Sequence, residues 1–101
     1  MFESLPTAHD AKMTARASEQ LRKQRELNNF NTALENAIID AMEAGKTYTS
    51  MWLFSRRDKV PEKDRWHASV EDAEETAQKL RAMGYEVEVH NSTPPTIYVW
   101  W

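Results

Sequence analysis

Two glutamates, Glu86 and Glu88, stand two positions apart in a segment with the composition of a β-strand. Alternate residues of a strand project from one face, so this spacing predicts neighbouring carboxylates. Paired carboxylates are the groups that general acid–base and glycosidic chemistry use. No partner base is identifiable beside them, and exposed carboxylates are common on strands. We therefore interpret the pair as a solvated strand face and not as a catalytic site.

The other residue types that carry chemistry form no reactive constellation. His9, His67 and His90 are far apart along the chain, and none stands at metal-ligand spacing from an acid. The hydroxyl residues match no nucleophile motif. The absence of cysteine excludes disulfides, zinc–thiolate sites and thiol catalysis, and only two glycines are present, too few for a Gly-rich phosphate loop. The sequence therefore predicts no catalytic residue, no cofactor and no metal site.

Basic residues gather in one segment, residues 55–68, which also contains Pro61 and reads as a long loop. Trp66 is its large aromatic residue. The side chains that would contact phosphates or an acidic partner, with Trp66 stacking on a base, are Arg56, Arg57, Lys59, Lys63 and Arg65. Three acidic residues are interspersed, which favours a solvated loop or a protein contact over nucleic-acid binding.

Length, charge and hydropathy limit the possible domain organisation and the possible partners of the chain. A chain of 101 residues fits one domain, and its net charge of −3 argues against binding nucleic acid through overall charge. No apolar run approaches the roughly eighteen residues of a membrane span, and no signal peptide is visible at the start. Residues 1–10 are predicted to be an N-terminal arm, either docked through Phe2 and Leu5 or loose, ahead of a single domain over residues 11–101.

The first helical region covers residues 10–44, which contain neither glycine nor proline. Its first half carries only a thin apolar stripe, made by Met13, Ala17 and Leu21, which is typical of a solvent-facing helix or of one completed by a partner subunit. The second half has a broad apolar face that ends at Gly45. Asparagines at positions 28, 29 and 31 favour a break into two helices, with one long helix as the alternative.

The remaining elements follow from local signals. The alternating segment Thr47–Phe54 predicts a strand, β1. A helix follows over Ser69–Met83, with Ser69 as the N-cap of a capping box and Gly84 just past its end. The segments Tyr85–His90 and Ile97–Trp101 flank a loop of turn-forming residues and predict a hairpin of strands β2 and β3.

Strand order decides which residues the sheet exposes. Ile97–Trp101 is the most apolar run and fits the centre, whereas the acidic face of Tyr85–His90 fits an edge. We therefore expect an α+β fold with the element order helix–helix–strand–helix–strand–strand. Its helices pack on one face of a three-stranded mixed sheet in the order β1–β3–β2, although β3 outside the other two strands is the alternative.

An aromatic outer face is the main functional consequence of this arrangement. On β3, Tyr98 and Trp100 then point away from the helices. They are joined from β1 either by Tyr48, Trp52 and Phe54 or by Met51 and Leu53. Exposed aromatic patches usually mark contact surfaces, so Trp52, Tyr98 and Trp100 are the predicted interface residues. The alternative is that the first helix or the arm covers this face.

The region from Ala33 to Trp101 resembles a small α-β-α-β-β module of tailed-phage proteins, including some virion structural proteins. The resemblance rests on the helix end Ala37–Gly45, the Met-Gly-Tyr-Glu-Val segment Met83–Val87 and the closing aromatic strand Tyr98–Trp101. These motifs are structural. The resemblance therefore implies the α+β fold and a role in a virion or in the cytoplasm of an infected host, and it implies no site residues.

Together these observations lead to two expectations of function. The first is a non-enzymatic phage structural or accessory protein that contacts other protein subunits, as a homo-oligomer or as a capsid-, neck- or tail-associated component. The alternative is a small binder of nucleic acid or of a host protein through the basic loop. Neither role involves a membrane.

Overall fold

The computed structural model describes residues 8–56 and 58–101, with side chains from Arg16 onward. Within them the chain forms two α-helices and three strands: α1 Ala8–Glu43, β1 Tyr48–Trp52, α2 Val70–Ala82, β2 Glu86–His90 and β3 Thr96–Trp100. A single turn of 3₁₀ helix, Glu62–Asp64, lies in the segment between β1 and α2. The predicted α+β class is confirmed. Residues 1–7 of the predicted arm lie outside the described residues.

Helix α1 is continuous over 36 residues, so the predicted break at the asparagines is wrong. The Nδ2 atom of Asn29 donates to the carbonyl oxygens of Lys63 and Arg65, at 3.0 and 2.9 Å. The Oδ1 atom of Asn31 accepts a hydrogen bond from the Thr76 hydroxyl at 2.8 Å. Because these side chains bond to other elements, they do not compete for the backbone hydrogen bonds of their own helix.

Local signals set the helix ends as predicted. The Ser69 hydroxyl accepts a hydrogen bond from the backbone N–H of Asp72 at 3.1 Å and caps α2. Gly84 follows α2 with φ 98°, and Gly45 follows α1 with φ 76°. At both ends the two residues after the last turn donate backbone hydrogen bonds to carbonyls inside the helix, as in a Schellman motif. Only glycine adopts such positive φ values without steric strain.

The three strands stand in the predicted order, β1–β3–β2. Both outer strands pair antiparallel with β3, so the predicted mixed sheet is wrong and the sheet is antiparallel. The physical reason is that β1 and β2 run in the same direction but do not touch, because β3 lies between them. Residues 91–95 connect β2 to β3 and form the five-residue hairpin loop that the turn formers predicted.

The core lies against one face of this sheet. Both helices contribute to it, α1 through its second half and α2 through two alanines. The buried members of the cluster are Phe30, Leu34, Ile38, Leu53, Ala68, Ala73, Ala77, Val87, Ile97 and Val99. On β2 the core residue Val87 lies between exposed Glu86 and Glu88. On β3 the core residues Ile97 and Val99 alternate with half-buried Tyr98 and Trp100, so most of the opposite sheet face lies outside this core.

Candidate interaction face and basic loop

The face of the sheet opposite the core, here called the outer face, consists of three rows that run across the strands. The residues within each row lie directly opposite one another in the β-ladders. From one end to the other, the rows are Tyr48–Trp100–Glu86, Ser50–Tyr98–Glu88 and Trp52–Thr96–His90. The predicted interface residues Trp52, Tyr98 and Trp100 therefore share one face. Of the two sets of β1 residues that could share this face, the set with Met51 and Leu53 is excluded, because Leu53 is only 1% exposed and belongs to the core.

Aromatic rings on the outer face pack against one another in pairs. The rings of Tyr98 and Trp100 stack with centroids 5.9 Å apart and an interplanar angle of 17°. The rings of Trp52 and Phe54 lie 6.0 Å apart at 47°. Trp52 is 41% exposed and Tyr48 is 55% exposed, whereas Tyr98 and Trp100 are half-buried. The face thus combines fixed central rings with exposed rings along β1.

His90 also belongs to this face, although sequence reasoning treated it as an ordinary surface histidine. Its ring meets the edge of the Tyr98 ring at 4.9 Å, and its Nε2 atom lies 2.9 Å from the Oε2 atom of Glu88. The alternation along β2 predicted that Glu86, Glu88 and His90 share one side, and the contact of His90 with Tyr98 is what the sequence did not show. The outer face therefore has an acidic edge on β2 and an aromatic edge on β1.

The basic loop, residues 55–68, is fastened at several points. The indole Nε1 of Trp66 donates to the carbonyl oxygen of Trp52 at 3.1 Å, and its backbone N–H donates to the Ser55 hydroxyl at 3.1 Å. The backbone N–H of His67 donates to the carbonyl oxygen of Glu26 on α1 at 3.3 Å. Together with the two bonds from Asn29, these contacts fix the end of the loop against α1 and against the end of β1.

Two of the predicted loop cations lie beside the aromatic rings. Arg56 and Lys59 line a shallow pocket of about 320 Å³ whose remaining walls are Val60 and the rings of Trp52, Phe54 and Trp66. This pocket joins the loop to the outer face, because Trp52 belongs to both. The Arg56 guanidinium lies 3.6 Å from the Asp58 carboxylate, so part of its charge is already balanced.

Two other residues of the predicted basic set, Lys63 and Arg65, bond to α1 through their backbone. Lys63 and Arg65 present backbone carbonyl oxygens to Asn29, and the Nε atom of Arg65 donates to the carbonyl oxygen of Val60 at 3.3 Å. Arg57 lies outside the described residues. Arg65 lines a second pocket together with Arg56, so these two predicted cations lie near each other.

One acid–histidine pair lies on the outer face. Glu88 is occupied by His90, and both side chains are largely exposed. Among residues 8–56 and 58–101, no cluster of three or more histidine, aspartate or glutamate side chains could hold a metal ion. The arrangement offers the contact surfaces described above.

The described helices and the wider comparisons add two results. Neither α1 nor α2 is long and apolar enough to cross a membrane. Comparison of the chain with protein-family models, with curated protein sequences and with solved structures gave no match. The interface and loop assignments therefore depend on the geometry given above.

Proposed function

We propose that this chain is a non-enzymatic contact module that joins protein subunits through its outer face. The observation that supports the proposal is the aromatic surface formed by Tyr48, Trp52, Tyr98 and Trp100 on a sheet whose other face meets the core. The proposal includes a two-layer arrangement in which both helices cover that core face. The outer face is then free to receive another molecule.

The chemistry of the outer face favours a protein partner. Tryptophan and tyrosine dominate the binding energy of protein interfaces, because they remove a large apolar area from water at a small cost in side-chain entropy. The stacked pair Tyr98–Trp100 is ordered before any partner arrives, which reduces the entropy lost on binding. The carboxylates of Glu86 and Glu88 along one edge would repel a polyanion, so they favour a protein over a nucleic acid.

The setting of this module is proposed from the resemblance between residues 33–101 and the tailed-phage module. On that basis the chain is a structural or accessory protein, either a virion component associated with capsid, neck or tail or a protein of the infected host's cytoplasm. Mass spectrometry of purified particles separates these two settings. Detection at a fixed ratio to a major virion protein places it in the particle, and absence from particles removes the virion role.

Light scattering over a wide concentration range tests the contact role. We expect assemblies larger than a monomer, and we expect the double variant Trp52→Ser with Tyr48→Ser to form smaller ones. The matched control is Trp101→Ser, since Trp101 is 36% exposed and packs edge-on against Tyr85 instead of lying on the outer face. A stable monomer at every concentration would rule out self-association, and equal effects of all substitutions would rule out the outer face.

A second candidate function, binding of nucleic acid or a host protein by the basic loop, is favoured by the pocket of Arg56, Lys59 and three aromatic rings. Cations beside stacking rings suit single-stranded nucleic acid. A filter-binding titration at two salt concentrations tests it. Binding that weakens as salt rises, and that is lost in Lys59→Ala, supports this function, whereas absent or salt-insensitive binding removes the nucleic-acid version.

A further inference from the structure

An apolar groove of about 500 Å³ runs between α1 and α2, on the helical side of the molecule. Its walls include Ile38, Ile39 and Met42 from α1 and Leu80 and Met83 from α2. Ile39 is 43% exposed, Met42 is 39% exposed and Met83 is 72% exposed. Large apolar side chains grouped in a groove at this exposure are typical of a site that receives another helix.

Among the side chains that the structure describes, those in the first half of α1 are exposed to solvent. Every residue from Arg16 to Arg25 is exposed, and Leu21 is 72% exposed. The chain measures 64 Å along its longest axis and only 26 × 25 Å across, because this part of α1 extends beyond the sheet. Isolated helical segments of this length are marginally stable in water, so packing against a partner would stabilise it.

The thin apolar stripe of this extension stands on the same side of α1 as the groove. An α-helix turns about 100° per residue, so residues eighteen apart are separated by about five full turns and face one way. Leu21 precedes Ile39 by that spacing, and Ala17 precedes Glu35, another groove residue, by the same spacing. One continuous side of α1 therefore carries the stripe in its first half and the groove wall in its second half.

The two halves also carry opposite charge. Between residues 16 and 25 there are four cationic side chains, Arg16, Arg22, Lys23 and Arg25, and one anionic side chain. Between residues 34 and 43 there are three anionic side chains, Glu35, Asp40 and Glu43, and no cationic one. The two halves of α1 thus have opposite charge, and their apolar residues lie on the same side of the helix. Two such helices can pair antiparallel, because each half then meets the oppositely charged half of the other copy.

We propose that two copies of this chain pair through antiparallel α1 helices, so that the first half of each α1 lies in the α1–α2 groove of the other. A two-fold axis near Asn28 places the segment Ala17–Leu21 of one copy beside residues 35–39 of the second copy. Gln24 and Asn28, which share a 3.1 Å hydrogen bond, lie near the axis, where polar residues fix the register of paired helices. This contact uses the helical side and goes beyond the outer-face function, whose residues it does not involve.

Equilibrium sedimentation of the full chain tests the pairing. Leu21→Gln should raise the dimer dissociation constant about a hundredfold, because two leucines per dimer lose their apolar contact. Ser18→Gln, on a neighbouring side of the same exposed segment, should leave it unchanged. Glu35→Lys should weaken the dimer, and adding Arg25→Glu should restore it, because in this register Arg25 lies within about one helical turn of the partner's Glu35. The pairing is overturned if Leu21→Gln and Ser18→Gln have equal effects, or if charge reversal is not rescued.

A crosslinking experiment fixes the geometry, because the chain has no native cysteine. With a maleimide crosslinker that spans about 8–10 Å, the distance between packed helices, Asn28→Cys should give a covalent dimer. Ser18→Cys should not, since its two copies would lie about 30 Å apart along paired α1 helices. Equal crosslinking of both variants contradicts the antiparallel register. The outer-face variant Trp52→Ser with Tyr48→Ser should still crosslink at Asn28→Cys, so failure of the outer-face role is distinguishable from failure of this pairing.

Discussion

The side-chain amide nitrogen of Asn29 lies 2.9 Å from the backbone carbonyl oxygen of Arg65, across 36 positions of sequence. The same nitrogen lies 3.0 Å from the carbonyl oxygen of Lys63. One helical side chain thus satisfies two carbonyl groups of the basic loop. This contact couples the position of the loop, including Trp66 just after Arg65, to α1.

Replacing Asn29 with alanine should release this part of the loop. We expect the free energy of unfolding to fall by about 1–3 kcal/mol, because a part-buried carbonyl oxygen loses its donor. Chemical denaturation measures the change. Asn36→Ala, on an exposed position of the same helix, controls for the gain in helix propensity and should be neutral or slightly stabilising. Equal effects of the two substitutions would contradict the anchoring role.

The Asn31–Thr76 hydrogen bond joins α1 to α2 and should contribute a pairwise coupling. In a double-mutant cycle with Asn31→Ala and Thr76→Ala, we expect about 0.5–1.5 kcal/mol of interaction energy, the usual net contribution of a side-chain hydrogen bond. Unfolding of the four proteins in urea provides the data. Additive losses would mean that the two side chains do not interact in solution.

Ser69 should stabilise α2 through its hydroxyl and not through its size. Ser69→Ala should lower the free energy of unfolding by about 1 kcal/mol, because the N–H of Asp72 loses its acceptor. Ser69→Gly should cost only a few tenths of a kcal/mol, since glycine is tolerated at N-caps. Thermal and chemical unfolding of both variants test this order, and a larger loss for glycine than for alanine would refute it.

Substitution of Gly84 should destabilise the chain because of the backbone conformation there, and not because a side chain would clash with its neighbours. A Cβ atom added there would meet no atom within 4 Å, but φ is +98°. We therefore expect Gly84→Ala to destabilise the chain by about 1–2 kcal/mol, the cost of a left-handed conformation for an L-residue. Gly84→Asn should be milder, because asparagine adopts positive φ more readily. An unchanged stability for Gly84→Ala would show that the α2 end rearranges.

Local sequence was sufficient for α2 and its ends, because Ser69 and Gly84 act on atoms only a few residues away. The strand order also followed from sequence, since the most apolar run suits the position with two neighbours. The asparagines of α1 were misread because their helix propensity is local, whereas the partners of Asn29 and Asn31 come from distant segments. The contact between His90 and Tyr98 was not predicted for the same reason, since it exists only once β2 and β3 pair.

The loop was predicted only in outline. Its cations were visible in the sequence, but spacing could not show that Arg56 faces Asp58 or that Lys63 and Arg65 present their carbonyl groups to α1. The convergence of Trp52, Phe54 and Trp66 on one pocket depends on the turn after β1 and on the antiparallel bridge between Phe54 and His67. Such tertiary contacts are not encoded in the composition of a single segment.

The central position of β3 also determines when the sheet can form during synthesis. β1 and β2 emerge from the ribosome with no hydrogen-bonding neighbour in this sheet, since each pairs only with Thr96–Trp100. Both helices are therefore translated before any strand can be paired. The nascent chain must hold its apolar strands in solution until the last segment of the sheet arrives, and a chaperone would be of most use in that interval.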